Sequence, residues 1–245
     1  MIQNIQLSNR LLKVASFIPK GAFFADIGSD HAYLPCYVCQ KDNTAEAIAG
    51  EVNEGPYQSA LQTVRTHDLI KKVDVRLGDG LQVIKDAEKV EHVVIAGMGG
   101  SLIETILEEG KSKLIHTKQI IAQPNIDARS VRRWLDDNGF TITNETIVEE
   151  NGHVYEIMAA SAGQQDKTPY QESIKERQLL FGPILLENKT NSFYNKWKHE
   201  RSKLERVIMQ MRQAKQKDEI KISLFEKELQ WIEEELQDER TSESH

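Results

Sequence analysis

Cysteine is scarce in this sequence, with two residues in 245. Cys36 and Cys39 stand alone, so there is no disulfide framework, and a C-x-x-C redox or zinc site lacks the further ligands it needs. On a helix that spacing points both thiols the same way, and buried, inert thiols are the expectation. No run reaches 18 apolar residues, so no membrane-crossing helix is predicted. The opening MIQNIQLSNRLLKVA has no apolar secretion segment. Positive charge is not in excess either: a net charge of -7 argues against a general nucleic-acid coat and leaves room for a local basic face. A soluble, cytoplasmic protein with no membrane, metal or obligate protein partner is the expectation. What is present is 39% apolar residues with a mean hydropathy of -0.51, enough for a core beside exposed, charged helices.

Two glycines of the dinucleotide fingerprint are also missing. The stretch Phe23 to Pro35 reads FFADIGSDHAYLP, a short buried strand, a tight turn and a helix start. The fingerprint positions hold Gly28, Asp30 and Tyr33, and the Asp30 carboxylate would repel a pyrophosphate on the helix terminus. Asp26 and Asp30 around one flexible glycine suit a ligand with an ammonium group or hydroxyl donors, such as S-adenosylmethionine. An aspartate capping a helix after an ordinary strand is the alternative.

Taken in order, the chain alternates strand and helix. Helices are predicted over 8–17, 53–67 and 127–138, the last with Asp127 as cap and Gly139 as stop. Strands are predicted over 23–25, 45–51, 73–77, 93–96 and 119–122. A closing pair, 140–148 and 154–160, turns at Asn151-Gly152. This is the pattern of a doubly wound α/β sheet with a class I methyltransferase finish. From Ser161 the linker SAGQQDKTPY leads into a segment with no strand pattern, broken at Gly182-Pro183. Apolar residues then fall at Phe193, Trp197, Leu204, Val207, Ile208 and Met211, and again at Ile222, Phe225, Leu229, Ile232 and Leu236. Two long helices in a coiled-coil hairpin are expected. The domains are accordingly placed at 1–161 and 170–240.

Polar or glycine-rich features sit where strands stop: Asp26 and Gly28, Glu51, Asp79, and Gly97-Met98-Gly99-Gly100. An acid after the second strand can take both hydroxyls of a ribose, for NAD as readily as for S-adenosylmethionine. Asp79 can accept from an adenine amino group or cap the helix that follows. Met98 can cover an adenine face or fill the core. Their order along the chain favours a nucleoside-cofactor site.

The motifs ADIGSDHAYLP, AGEVNEGP, RLGDGL, IAGMGG and QPN, with the GPILL segment and helical extension, closely resemble the bacterial TrmK family, the tRNA (adenine-22-N1)-methyltransferases. The resemblance covers the whole chain. It implies S-adenosylmethionine as cofactor, tRNA as partner and methylation of N1 of adenine 22. It also implies that Asp26, Gly28, Glu51, Asp79, Gly97, Met98 and Gly99 hold the cofactor, with Asp30 and His31 in the motif after strand one. The residues by themselves leave open a methyltransferase acting on another RNA site or a small molecule, and a non-catalytic RNA-binding module.

Adenine N1 carries its own lone pair, so alignment, dryness and stabilisation of the positive charge left on the base are what the protein must supply. The Asn/Asp-Pro-Pro-aromatic signature of amino-group methyltransferases is absent, and Asp30, His31, Tyr33 and Asn125 are the candidates to contact the base. Gripping an RNA calls for basic surface. From Lys189 to Lys217 the net charge is +7, and from Asp218 to His245 it is -7. Lys196, Lys198, Arg201, Lys203 and Arg206 form a candidate RNA ridge, unless the acidic helix neutralises them. Arg129, Arg132 and Arg133 form a second basic cluster, with a solvated helix face as the alternative.

Overall fold

Unbroken apolar runs, rather than alternating ones, mark the middle of the sheet. Phe24, Ala25 and Ile27, then Ala47 to Ala49, Val93 to Ile95 and Ile120 to Ala122 are all buried, as strands covered on both faces require. In the computed structural model, which describes residues 4–163 and 168–242, these runs form seven strands: β1 (Phe23–Ile27), β2 (Glu46–Glu51), β3 (Val73–Leu77), β4 (His92–Gly99), β5 (Gln119–Ile126), β6 (Phe140–Glu150) and β7 (His153–Ala162). Their order is β3-β2-β1-β4-β5-β7-β6. β7 runs antiparallel to both β5 and β6 and the remaining pairs are parallel, so the sheet is mixed and Rossmann-like. Asn151 (φ 52°) and Gly152 (φ 76°) make the left-handed two-residue turn that matches strand twist in the β6–β7 hairpin.

Five helices accompany the sheet: α1 (Asn9–Ala15), α2 (Tyr33–Lys41), α3 (Glu54–Thr66), α4 (Gly100–Glu109) and α5 (Ala128–Asp137). Ser8 and Asp127 cap α1 and α5 by accepting backbone N–H bonds from Leu11 and Ser130. Cys36 and Cys39 are buried free thiols on α2, and burial pushes both up to about 12.

The two central strands run further than their apolar cores. β4 continues through Gly97-Met98-Gly99 and β5 through Gln123-Pro124-Asn125, pairing Ala96 with Gln123 and Met98 with Pro124 across register shifts. Gly97, at φ 80°, supplies the left-handed residue at that irregularity. The expected turn residues after both strands therefore belong to the strands themselves, with a left-handed kink at Gly97. β1 likewise continues one residue past Asp26.

The chain separates into two compact units, Met1–Pro169 and Tyr170–His245. The expected linker SAGQQDKTPY lies partly outside the described residues. The second unit is helical: α6 (Lys175–Phe181), α7 (Pro183–Glu187), α8 (Asn191–Gln213) and α9 (Glu219–Ser242). Gly182 at φ 95° joins α6 to α7, with Pro183 at the start of the latter. Phe181, Phe193 and Trp197 cluster, the Phe181 and Trp197 rings 4.3 Å apart. α8 and α9 pack on each other, and Ile208, Ile222, Ile232 and Leu236 are buried. Val207, expected on that seam, is exposed because Leu204, Ile208 and Met211 already fill the helix face beside it.

Candidate active site

Strand order reverses between β1 and β4, and ligands of open α/β sheets bind at the carboxyl ends beside such a reversal. The turn there begins with Gly28 at φ 68°. A Cβ on this residue would lie 2.1 Å from Met98 Cε, so the missing side chain is what lets the methionine cross the turn. The N–H groups of Gly28 and Ser29 both donate to the Gly50 carbonyl, at 2.9 and 3.1 Å, fastening the turn to β2.

Three consecutive non-glycine residues then adopt left-handed backbone: Asp30 (φ 46°), His31 (φ 70°) and Ala32 (φ 58°). Each costs on the order of 1 kcal/mol in isolation. Successive N–H groups in such a turn converge on an anion, and here the backbone of Asp30 and His31 faces the Glu51 carboxylate and favours its ionised form against the effect of burial. Glu51 is 5% exposed and burial raises its pKa; its Oε1 nevertheless has no hydrogen-bond partner. A buried oxygen with an unused lone pair beside a ligand-binding crevice is placed for a hydroxyl donor.

A cavity of about 350 Å³ opens beside this turn, lined by residues including Asp26, Asp30, Tyr33, Met98 and Asn125. Gly28 and Gly97 also line it; His31, Glu51, Asp79 and Gly99 lie outside its lining. Asp26 is buried and accepts the Ser29 hydroxyl at 2.6 Å. Burial pushes its carboxyl up to about 7 against the pull of that hydrogen bond, and the charges of Glu51 and Asp30 push the same way. A cationic group entering the cavity would find a carboxyl that has no positive partner among the described residues. His31 Nε2 lies 3.4 Å from Asp30 Oδ1 and its ring is 5.6 Å from that of Tyr33. Asp79 is exposed and makes no side-chain capping bond to the turn after it.

Four lining residues had no sequence signal. Ser29 reads as an ordinary turn residue, Arg10 belongs to the polar face of a short helix, and Tyr155 and Leu11 look like core or hairpin positions. Behind the wall, Gln123 is fully buried and accepts both from the Gly97 N–H, at 3.0 Å, and from Arg10. The Arg10 guanidinium lies 5.3 Å above the Tyr155 ring.

The basic candidates fare unequally. Arg132 is a correction: it is fully buried, its Nε 2.7 Å from Glu145 Oε1 and its Nη2 paired with Glu156. No phosphate reaches it; the apolar side of α5 carries it inward, where two carboxylates neutralise it. Arg129 and Arg133 are half-buried on the same helix. In the second unit, Lys198, Lys203 and Arg206 are exposed, while Lys196 and Arg201 are half-buried. Lys196 Nζ sits 4.4 Å from the centre of the Trp197 ring. Lys203 and Arg201 approach Glu200 and Glu205 of their own helix, at 2.7 and 3.6 Å. Lower down α8, Arg212 pairs with Glu226 of α9. Among the described residues no cluster of three or more His, Cys, Asp or Glu is placed to hold a metal, and no helix is long and apolar enough to cross a membrane.

Residues 24–234 match the family model described as tRNA (adenine(22)-N(1))-methyltransferase. The Bacillus subtilis tRNA (adenine(22)-N(1))-methyltransferase is 42% identical over 225 residues, 92% of this chain and 94% of its own. A Streptococcus pneumoniae protein solved in complex with S-adenosyl-L-methionine is 40% identical, with a TM-score of 0.82 over 94% of this chain and 100% of that one. M. capricolum TrmK, solved with S-adenosylhomocysteine, is 27% identical, with a TM-score of 0.80 over 94% of this chain and 98% of that one.

Proposed function

The chain belongs to the TrmK family of tRNA (adenine(22)-N(1))-methyltransferases, and from that premise we propose how its own residues carry the reaction. The enzyme transfers a methyl group from S-adenosylmethionine to N1 of adenine 22 in tRNA. The cofactor supplies an electrophilic methyl on a sulfonium sulfur. Asp26, its carboxyl raised to about 7 by burial, takes the ammonium group of the cofactor's amino-acid end. Glu51 accepts from the ribose through its unpartnered Oε1, its ionised form favoured by the turn backbone beside it. Asp79, exposed and not engaged as a cap, accepts from the adenine amino group. Gly28, Gly97 and Met98 shape the floor, with Gly99 continuing the strand beyond them, since any side chain at Gly28 would displace Met98.

Asp30, His31, Tyr33 and Asn125 face the base on this reading. The chemistry needs no general base, because N1 attacks with its own lone pair. Asp30 stabilises the positive charge that develops on the ring, and Tyr33 and His31 offer aromatic surface in place of the missing Pro-Pro-aromatic signature. N1 lies on the Watson–Crick edge, so the nucleotide is unpaired or flipped to enter, at a cost of a few kcal/mol. Residues 1–161 act as a class I methyltransferase domain and 170–240 as a coiled-coil domain that holds tRNA through Lys196, Lys198, Arg201, Lys203 and Arg206, aided by Arg129 and Arg133. A cytoplasmic site follows from the tRNA substrate.

The buried, unpartnered Glu51 Oε1 is the observation that carries the cofactor assignment. Incubation of the full chain with methyl-labelled cofactor and tRNA, followed by digestion to nucleosides, tests the whole reading. Label in 1-methyladenosine, lost when adenine 22 is replaced by another base, is the expected result. Label in another nucleoside overturns the assigned position.

A further inference from the structure

Gln123 is fully buried directly behind the cavity wall, yet it is a polar side chain on a strand that otherwise buries isoleucine, alanine and proline. Its amide is locked by groups whose donor and acceptor roles are not in doubt. Gln123 Oε1 accepts from the backbone N–H of Gly97 at 3.0 Å, and from the Arg10 guanidinium. That fixes which end of the amide carries hydrogens, and Nε2 donates to Asn125 Oδ1 at 3.0 Å. Asn125 Nδ2 in turn donates to the Gly97 carbonyl at 2.7 Å, so both sides of one peptide residue orient two side-chain amides. Residues two apart on a strand share a face, which is why positions 123 and 125 meet while Pro124, with no N–H to place, sits between them.

Asn125 is exposed on the cavity side of this ring of bonds. One bond on each of its polar atoms leaves one lone pair on Oδ1 and one hydrogen on Nδ2. An acceptor next to a donor is the complement of the N6 amino and N7 edge of adenine, the pairing asparagine makes with adenine elsewhere. Recognition along that edge leaves N1 open to the methyl group. Guanine carries an acceptor, O6, where adenine carries the N6 donor, and would face Oδ1 with a lone pair.

Resting on the function proposed above, we propose that Asn125 reads the N6/N7 edge of the target adenine and that Gln123 is the positioning residue that fixes its orientation. Neither role requires a new group: Gly97 supplies the reference, Gln123 transmits it, and Asn125 presents it to the base.

The test uses the full chain and two tRNAs assembled from synthetic halves, carrying adenosine or 7-deazaadenosine at position 22. Removing N7 makes N1 more basic, so a slower reaction reports a lost contact and not a weaker nucleophile. The native enzyme is expected to lose about tenfold or more in kcat/KM on the 7-deaza substrate. Asn125→Ala is expected to be slow on adenosine and to treat the two substrates alike. Gln123→Glu keeps the acceptor for Gly97 and Arg10 and turns an oxygen toward Asn125 Oδ1. It is expected to lose the discrimination and to lower kcat, with cofactor affinity and melting temperature kept. Equal rates of the native enzyme on both tRNAs overturn the proposal, and so does a Gln123→Glu enzyme that still discriminates tenfold. Should Gln123→Glu fail to fold, Asn125→Ala decides, its side chain being exposed. Failure of the native enzyme to methylate either tRNA strikes instead at the proposed function on which this rests.

Discussion

Asp26 is held near the point where it gains or loses its proton at neutral pH, and the sign of the effect follows from burial. Its pKa is raised from 3.8 to about 7 in the folded chain, so ionisation is what folding opposes. The stability this group contributes is fully present below about pH 4 and is lost as pH rises through about 7. Cofactor binding runs the other way, because an ammonium group needs the ionised carboxylate. Affinity for S-adenosylmethionine is expected to rise about tenfold between pH 6 and pH 8, measured by calorimetric titration of the full chain. Asp26→Asn should bind weakly with no such rise, and should make the free protein's stability less dependent on pH across the same window. Glu51→Gln should weaken cofactor binding by about 2 kcal/mol, roughly thirtyfold, as expected for a lost charged acceptor; unchanged affinity would remove Glu51 from the site. These acids were legible in the sequence because they fall at strand ends. Ser29, Arg10, Gln123 and Tyr155 were not, since each is defined by what it meets in space, up to 145 positions away for Arg10 and Tyr155.

At the scale of elements, the sequence marks where strands are buried better than where they end. Val93 to Ala96 and Gln119 to Ala122 announce β4 and β5 by their apolar runs. Their tails carry glycine, proline and amides, which read as turns, and they pair only because a bulge at Gly97 keeps the two strands side by side. Helix caps and the Asn151-Gly152 turn were readable because their signals are local. The sequence also set Arg132 beside two other arginines, and only packing shows it turned inward against Glu145 and Glu156. The entry into α4 is a steric fact of the same kind: a Cβ on Gly100 would lie 1.8 Å from the Asp127 carbonyl oxygen. Backbone cannot swing aside as a methionine end can. Gly100→Ala is therefore expected to destabilise the protein by about 3 kcal/mol. Gly28→Ala, whose neighbour is the movable Met98 Cε, should cost about 1 kcal/mol from left-handed backbone alone. Denaturant unfolding of the two variants checks the ranking, and a larger loss at Gly28 would contradict it. Gly28→Ala should still impair cofactor binding, because Met98 must leave its place.

For the whole molecule, the open matter is how a protein with a net charge of -7 holds a polyanion. Charge is segregated along the chain, and the second unit joins a basic helix, α8, to an acidic one, α9. Lys203 and Arg201 approach acids of α8 itself, Arg206 donates from Nε to the Ser202 carbonyl at 3.1 Å, and Arg212 near the hairpin's turn reaches Glu226 of α9. Exposed intrahelical pairs are worth only a few tenths of a kcal/mol and exchange readily for phosphate. Lys196, Lys203 and Arg206 are separated by seven and three positions, which places them along one side of α8. Reversing these three to glutamate in the full chain is expected to weaken tRNA binding by at least tenfold and to flatten its dependence on salt, as fewer counterions are released on binding. Helicity by circular dichroism guards against damage to the Lys196–Trp197 contact, and cofactor affinity should stay at the native value because Asp26 and Glu51 belong to the other unit. An intact, cofactor-binding variant whose tRNA affinity and salt slope both match the native enzyme would assign the ridge to solubility, and leave Arg129 and Arg133 as the basic candidates for the RNA.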